Sequence, residues 1–140
     1  MRSLLIVVIS LAMLAACSDD QDFDPLPQAA KISIETNYQS DSLRTITDSA
    51  QIAAIISFVN ARRLGWGTPG FGVPIPRIRA NFYRYANDKN PIAHFGAGPG
   101  FFESMHRIGD FASRSASREE IREFLRLIGA PSDAADSAKP

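Results

Sequence analysis

His94 and His106 lie within a short stretch that also holds Glu103 and Asp110, and these are side-chain types that bind zinc or carry protons. Glu103 and His106 are three positions apart, so on a strand they point to opposite faces. The spacing therefore does not define a metal site, and neither a metal nor another cofactor is expected. Nucleophilic catalysis has no better support. There is no Gly-x-Ser-x-Gly elbow and no thiol other than Cys17, while Ser113, Ser115 and Ser117 run into a helix start where capping accounts for them. Gly65-Trp66-Gly67-Thr68-Pro69-Gly70 has the letters of a dinucleotide-binding loop, but that mechanism needs a strand before it and a helix after it. Here a helical pattern precedes the motif and Pro74 and Pro76 follow it. Spacing singles out no carboxylate pair, so no catalytic residue is expected.

Recognition chemistry is better represented. Arg77, Arg79, Tyr83 and Tyr85 alternate along one side of a β-favouring stretch, with Arg62, Arg63 and Arg84 nearby. Arginine and tyrosine combine planar contact area with directional hydrogen bonds, which suits them to binding surfaces. Trp66 and Phe71, on an irregular loop over residues 64–76, are further candidates for ligand contact. Competing with these readings, the strand face is simply solvated, or the loop aromatics fold back over the sheet edge.

Upstream, Met1 and Arg2 give a positive start, Leu4 to Leu14 is apolar except for Ser10, and the run ends Leu14-Ala15-Ala16-Cys17. The apolar stretch is shorter than the roughly 20 residues of a bilayer span and has the layout of a secretory signal. The ending resembles the lipobox of bacterial lipoproteins. That resemblance covers residues 1–18 and implies cleavage before Cys17, a diacylglycerol on its thiol and acylation of the new amino group. Two or more acyl chains suffice for stable anchoring. Ser18, rather than aspartate, follows the cysteine, which the resemblance reads as outer-membrane sorting, facing the periplasm, in a Gram-negative host.

Without residues 1–16 the chain keeps 14 basic and 15 acidic side chains, but unevenly spread. Asp19, Asp20, Asp22 and Asp24 crowd the stretch after the cysteine, whereas residues 31–131 are mildly basic. Residues 17–30 read as a lipidated acidic tether, 31–130 as one domain, and 131–140 as a disordered tail. A domain of about a hundred residues can hold one core.

Within it, residues 31–38 read as a strand with Ile32 and Ile34 on its apolar face. Asp48 and Gln51 resemble a capping box ahead of Ile52, Ile55, Ile56 and Val59, predicting a helix over about 48–63 closed by Arg62 and Arg63. Residues 77–86 and 92–95 form a hairpin around Asn87-Asp88-Lys89-Asn90-Pro91. Short strands follow at 101–105 and 107–111. Ser117 and Glu120 then box the start of a helix with Ile121, Phe124, Leu125 and Ile128 as its stripe, stopped by Gly129 and Pro131. This order predicts an α+β fold, a small antiparallel sheet of four to five strands with two helices on one face.

The reading that follows is a lipid-anchored envelope lipoprotein, a non-catalytic module that binds an envelope protein or an anionic envelope component. Its address excludes nucleic acid. Two other classes stay open: a small envelope enzyme such as a metal-dependent hydrolase, and an assembly or immunity-type factor that occupies another protein.

Overall fold

A computed structural model describes residues 24–36, 43–70, 72, 74–105 and 111–136. The expected signal segment, Cys17, Phe71, His106, Asp110 and residues 137–140 lie outside the described residues. The fold is α+β. Strands β1 (Lys31–Thr36), β2 (Arg44–Ile46), β3 (Ile78–Tyr83), β4 (Ala93–Gly98), β5 (Phe101–Met105) and β6 (Phe111–Ser115) form one antiparallel sheet in the order β2-β1-β3-β4-β5-β6. Helix α1 (Ser49–Asn60) joins β2 to β3, and α2 (Arg118–Ile128) follows β6. The sheet thus has six strands rather than four or five. The addition comes from β2, only three residues long, and from β6, which is shifted toward the C-terminus and takes Ser113 and Ser115 out of the expected helix entry.

Register sorts the side chains. Ile32 faces Phe82, Ile34 faces Ala80, Ala80 faces Phe95 and Ala97 faces Phe102, so these residues share one side. The helices cover that side. Phe95 packs on Phe102 and Phe124 with ring centroids 4.9 and 5.0 Å apart, and Phe58 of α1 stacks on Phe124 of α2 at 5.9 Å.

The helices begin and end for local reasons. Asp48 caps α1 by accepting a 2.7 Å bond from the Gln51 backbone, but Gln51 does not close the box. Its amide donates instead to the Leu127 carbonyl, tying the start of α1 to the end of α2. α1 stops at Asn60, short of Arg62 and Arg63, and Arg62 folds back to donate to the Phe58 carbonyl. In α2 both halves of the Ser117–Glu120 box form, and Ile121, Phe124, Leu125 and Ile128 are its buried stripe. Gly129, at φ 68°, ends it in a Schellman motif, Gly129 donating to Arg126 and Ala130 to Leu125.

Both predicted domain edges move outward. Leu26, within the expected tether, is part of the core, and its backbone N–H donates to Asn60 Oδ1 at 2.7 Å. Ala30 donates to the Tyr83 carbonyl, so residues 26–30 run on the body of the domain. At the other end, the described part of the expected disordered tail turns through Pro131–Asp136, with Ala134 donating to Pro131 and Ala135 buried.

A candidate binding pocket on the helix-free face

The opposite side of the sheet is built in rungs. One reads Glu35, Arg79, Gly96, Glu103, Ser113 across β1, β3, β4, β5 and β6; the next reads Ser33, Asn81, His94, Met105, Phe111. A two-residue turn at Pro99–Gly100 pairs Gly98 with Phe101 and so places Glu103 opposite Gly96 and diagonal to His94. Gly96 contributes no side chain, and Arg79 reaches toward Glu103 across that position, Nη2 to Oε2 at 3.5 Å. His94 Nε2 lies 3.0 Å from Glu103 Oε1.

Glu103 is fully buried, although it stands on the side without helices. Its cover comes from the long loop after α1. Gly67 pairs with Ser113 at the β6 edge, both backbone bonds measuring 3.0 Å, and Pro76 then lies over Gly96, where a Cβ would sit 2.6 Å from the proline Cβ. A carboxylate taken out of water is strongly disfavoured unless charge and hydrogen bonds compensate. Here Arg79 supplies the charge and His94 the hydrogen bond, while Glu103 Oε2 accepts no hydrogen bond among the described residues.

Beside this network a pocket of about 820 Å³ opens on the helix-free face. Arg79, Asn81, His94 and Glu35 give it polar walls. Tyr83, Met105, Phe111, Ile75, Pro91 and the Lys89 stem add apolar and aromatic surface. Tyr83 is held firmly, its hydroxyl 3.2 Å from Ser33 Oγ and its ring 4.3 Å beneath Lys31 Nζ. Such a site offers hydrogen bonds, one buried imidazole and flat rings. The Ser33 hydroxyl is engaged with Tyr83, Ser113 adjoins Glu103 in the first rung, and Ser104, whose hydroxyl donates to the His94 carbonyl, stands on the helix-covered side opposite Phe95.

Of the binding residues predicted from sequence, Arg79 and Tyr83 meet at this pocket. Their row is not at a sheet edge, because β3 is flanked by β1 and β4, and that is why Arg79 is only 16% exposed. Arg77 precedes the strand and donates its backbone N–H to Ala97, at the end away from Tyr83. Tyr85 has left the strand and stands exposed on the following turn. Trp66 is no surface contact: it is 1% exposed, packs edge-on to Phe95 and donates Nε1 to the Arg62 carbonyl at 2.6 Å. The loop does reach the pocket, but through Ile75.

Sequence reasoning set His94 and Glu103 against His106 and Asp110 and so missed their coupling to each other and to Arg79. The tight turn between Gly98 and Phe101 carried the signal, because counting back from it pairs 96 with 103. Among the described residues no group of three or more His, Cys, Asp or Glu is placed to hold a metal ion.

A second polar cluster is structural. Glu120 Oε1 receives Arg62 at 3.2 Å and Arg114 at 2.9 Å, and Arg62 also meets Glu123, joining the end of α1, β6 and the start of α2. Partial burial raises the Glu120 pKa, but the Ser117 N–H, Arg114 and Arg62 outweigh it and hold the carboxyl below its ordinary value.

Comparison of the chain with protein-family models, curated proteins and solved structures finds no match. No helix among the described residues is long and apolar enough to cross a membrane.

Proposed function

We propose that this chain is a lipid-anchored envelope lipoprotein whose domain binds rather than catalyses, and that its partner engages the pocket on the helix-free face. The lipobox-like Leu14-Ala15-Ala16-Cys17 supports the anchor. The observation that carries the binding reading is that the buried Glu103 is committed to Arg79 and His94, which fixes the pocket's polar side while Tyr83 and Phe111 present flat surface beside it. Rigid aromatic and arginine side chains in a half-enclosed site are the usual anchors of recognition. The partner is an envelope protein or anionic envelope component that inserts a polar group between the rings. His94 beside a carboxylate is also how hydrolases orient an imidazole, but Glu103 is fully buried and shared between His94 and Arg79, which suits a fixed binding wall better than a proton relay.

The test is co-purification from membranes of the lipidated protein and of its Tyr83→Ala/Phe111→Ala variant, both checked for folding by thermal melting. Loss of specific partners from the folded variant is expected. An unchanged partner set would remove the pocket from the reading, and absence of labelled fatty acid on Cys17 would remove the anchor.

A further inference from the structure

The two ring nitrogens of His94 have different surroundings. Nε2 lies 3.0 Å from Glu103 Oε1, and with Glu103 ionised beside Arg79 it is Nε2 that carries the proton. Nδ1 is then a bare acceptor. It makes no hydrogen bond among the described residues and is not sealed from water, so it opens on the pocket that His94 lines. Asn81 stands directly across from His94 in the register, and its side-chain amide likewise makes no hydrogen bond among the described residues. The pocket floor thus holds an acceptor beside a group that both donates and accepts. Phe111 flanks this pair, its ring 5.9 Å from the imidazole, and Ser33 and Lys31 fix the Tyr83 ring in the same pocket.

We infer that the pocket takes a sugar ring of an envelope glycan, uncharged at the point where it enters. The inference rests on the reading of this pocket as the binding site and names what fills it. A sugar carries hydroxyl or acetamido groups round its rim and C–H groups on its faces. A rim O–H or N–H donates to His94 Nδ1, a neighbouring oxygen accepts from Asn81, and the faintly positive C–H face lies on the negative face of an aromatic ring. Charge favours an uncharged occupant, because Arg79 and Lys89 are matched by Glu35 and by Glu103 behind the wall. An extended peptide fits less well. Such peptides pair their main chain with an open strand edge, whereas β1, β3, β4 and β5 are all interior strands. From Arg79 to Tyr83 the pocket follows four residues of strand, about 13 Å, which gives it length for more than one ring.

The experiment uses the full chain in a zwitterionic detergent, its two histidines labelled with nitrogen-15 and distinguished by His106→Gln. The probes are cellobiose, which carries hydroxyls only, N,N′-diacetylchitobiose, which adds acetamido groups, and triglycine. In the free protein the imidazole spectrum of His94 should show a protonated Nε2 and a bare Nδ1. At least one disaccharide should shift the Nδ1 signal saturably. Asn81→Ala should weaken that binding about fivefold, and Phe111→Ala about tenfold or more, with thermal melts showing that both variants fold. A protonated Nδ1 in the free protein, or an Nδ1 signal unmoved by both disaccharides, would overturn the inference with no variant needed. A shift produced by triglycine and by neither sugar would overturn it in favour of a peptide. In each of those cases, loss of partners from Tyr83→Ala/Phe111→Ala in the membrane co-purification would still keep the pocket as the binding site, and an unchanged partner set would remove that reading as well.

Discussion

Replacing Arg79 by alanine tests the logic of the helix-free face most directly. Glu103 is 0% exposed and Arg79 is the cation paired with it in the structure, so Arg79→Ala leaves a buried carboxylate supported chiefly by His94. Removing one member of a buried pair costs about 3–5 kcal/mol, and the residual exposure of Arg79 places this site toward the lower figure. For a domain of about a hundred residues, about 3 kcal/mol corresponds to a fall in Tm of roughly 12–20 °C. Adding Glu103→Gln removes the stranded charge, so the double variant should be more stable than Arg79→Ala alone by about 1–2 kcal/mol, within the range of couplings between contacting residues. Urea unfolding of the four proteins, followed by circular dichroism, closes the cycle. If Arg79→Ala costs under about 1 kcal/mol, or if Glu103→Gln gives no relief in its background, the burial argument fails.

Other perturbations probe separate parts of the structure. The depressed Glu120 carboxyl adds stability that is present above the unfolded value of about pH 4.3 and is lost as pH falls through the folded value, so thermal melts of the native protein and Glu120→Gln should differ at pH 7 and converge below pH 4.3. Trp66→Ala should destabilise by about 3–5 kcal/mol in chemical denaturation, as a core residue does, whereas a surface contact would cost little. Gly96→Ala should cost about 1–3 kcal/mol and speed amide exchange around Ile75 and Arg77, because its methyl must push Pro76 from the sheet; unchanged exchange would mean that Pro76 does not seal that face.

Helix α2 was legible in the sequence because its cap, stripe and stop all lie within fifteen residues and agree with one another. The β3–β4 hairpin was legible for the same reason, with alternation on either side of a polar turn. Strand β6 was not. Phe111-Ala112-Ser113-Arg114-Ser115 holds a single large hydrophobe and reads as serine-rich helix entry, yet pairing with β5 and with Gly67 draws it into the sheet. Leu26 is a lone apolar residue between two prolines in acidic surroundings, and only the distant Asn60 and the core give it a place. Arg79 and Tyr83 were singled out for their chemistry, but their joint site with His94 and Glu103 depends on a register across three strands, which no local pattern states.

Strand β4 reads Ala-His-Phe-Gly-Ala-Gly and is buried along its whole length, so it lacks the alternation that normally chooses between neighbouring pairings. Two of its residues are glycine and two alanine, side chains too small to object strongly to the wrong face. The buried charges make the choice instead. A shift of β5 by one position against β4 would turn Glu103 into the aromatic core among Phe95 and Phe124, separated from both Arg79 and His94, and would bring Phe102 out in its place. The network therefore acts on the alternatives as much as on the native fold: it makes the mispaired sheet costly and leaves a weakly patterned strand one acceptable alignment.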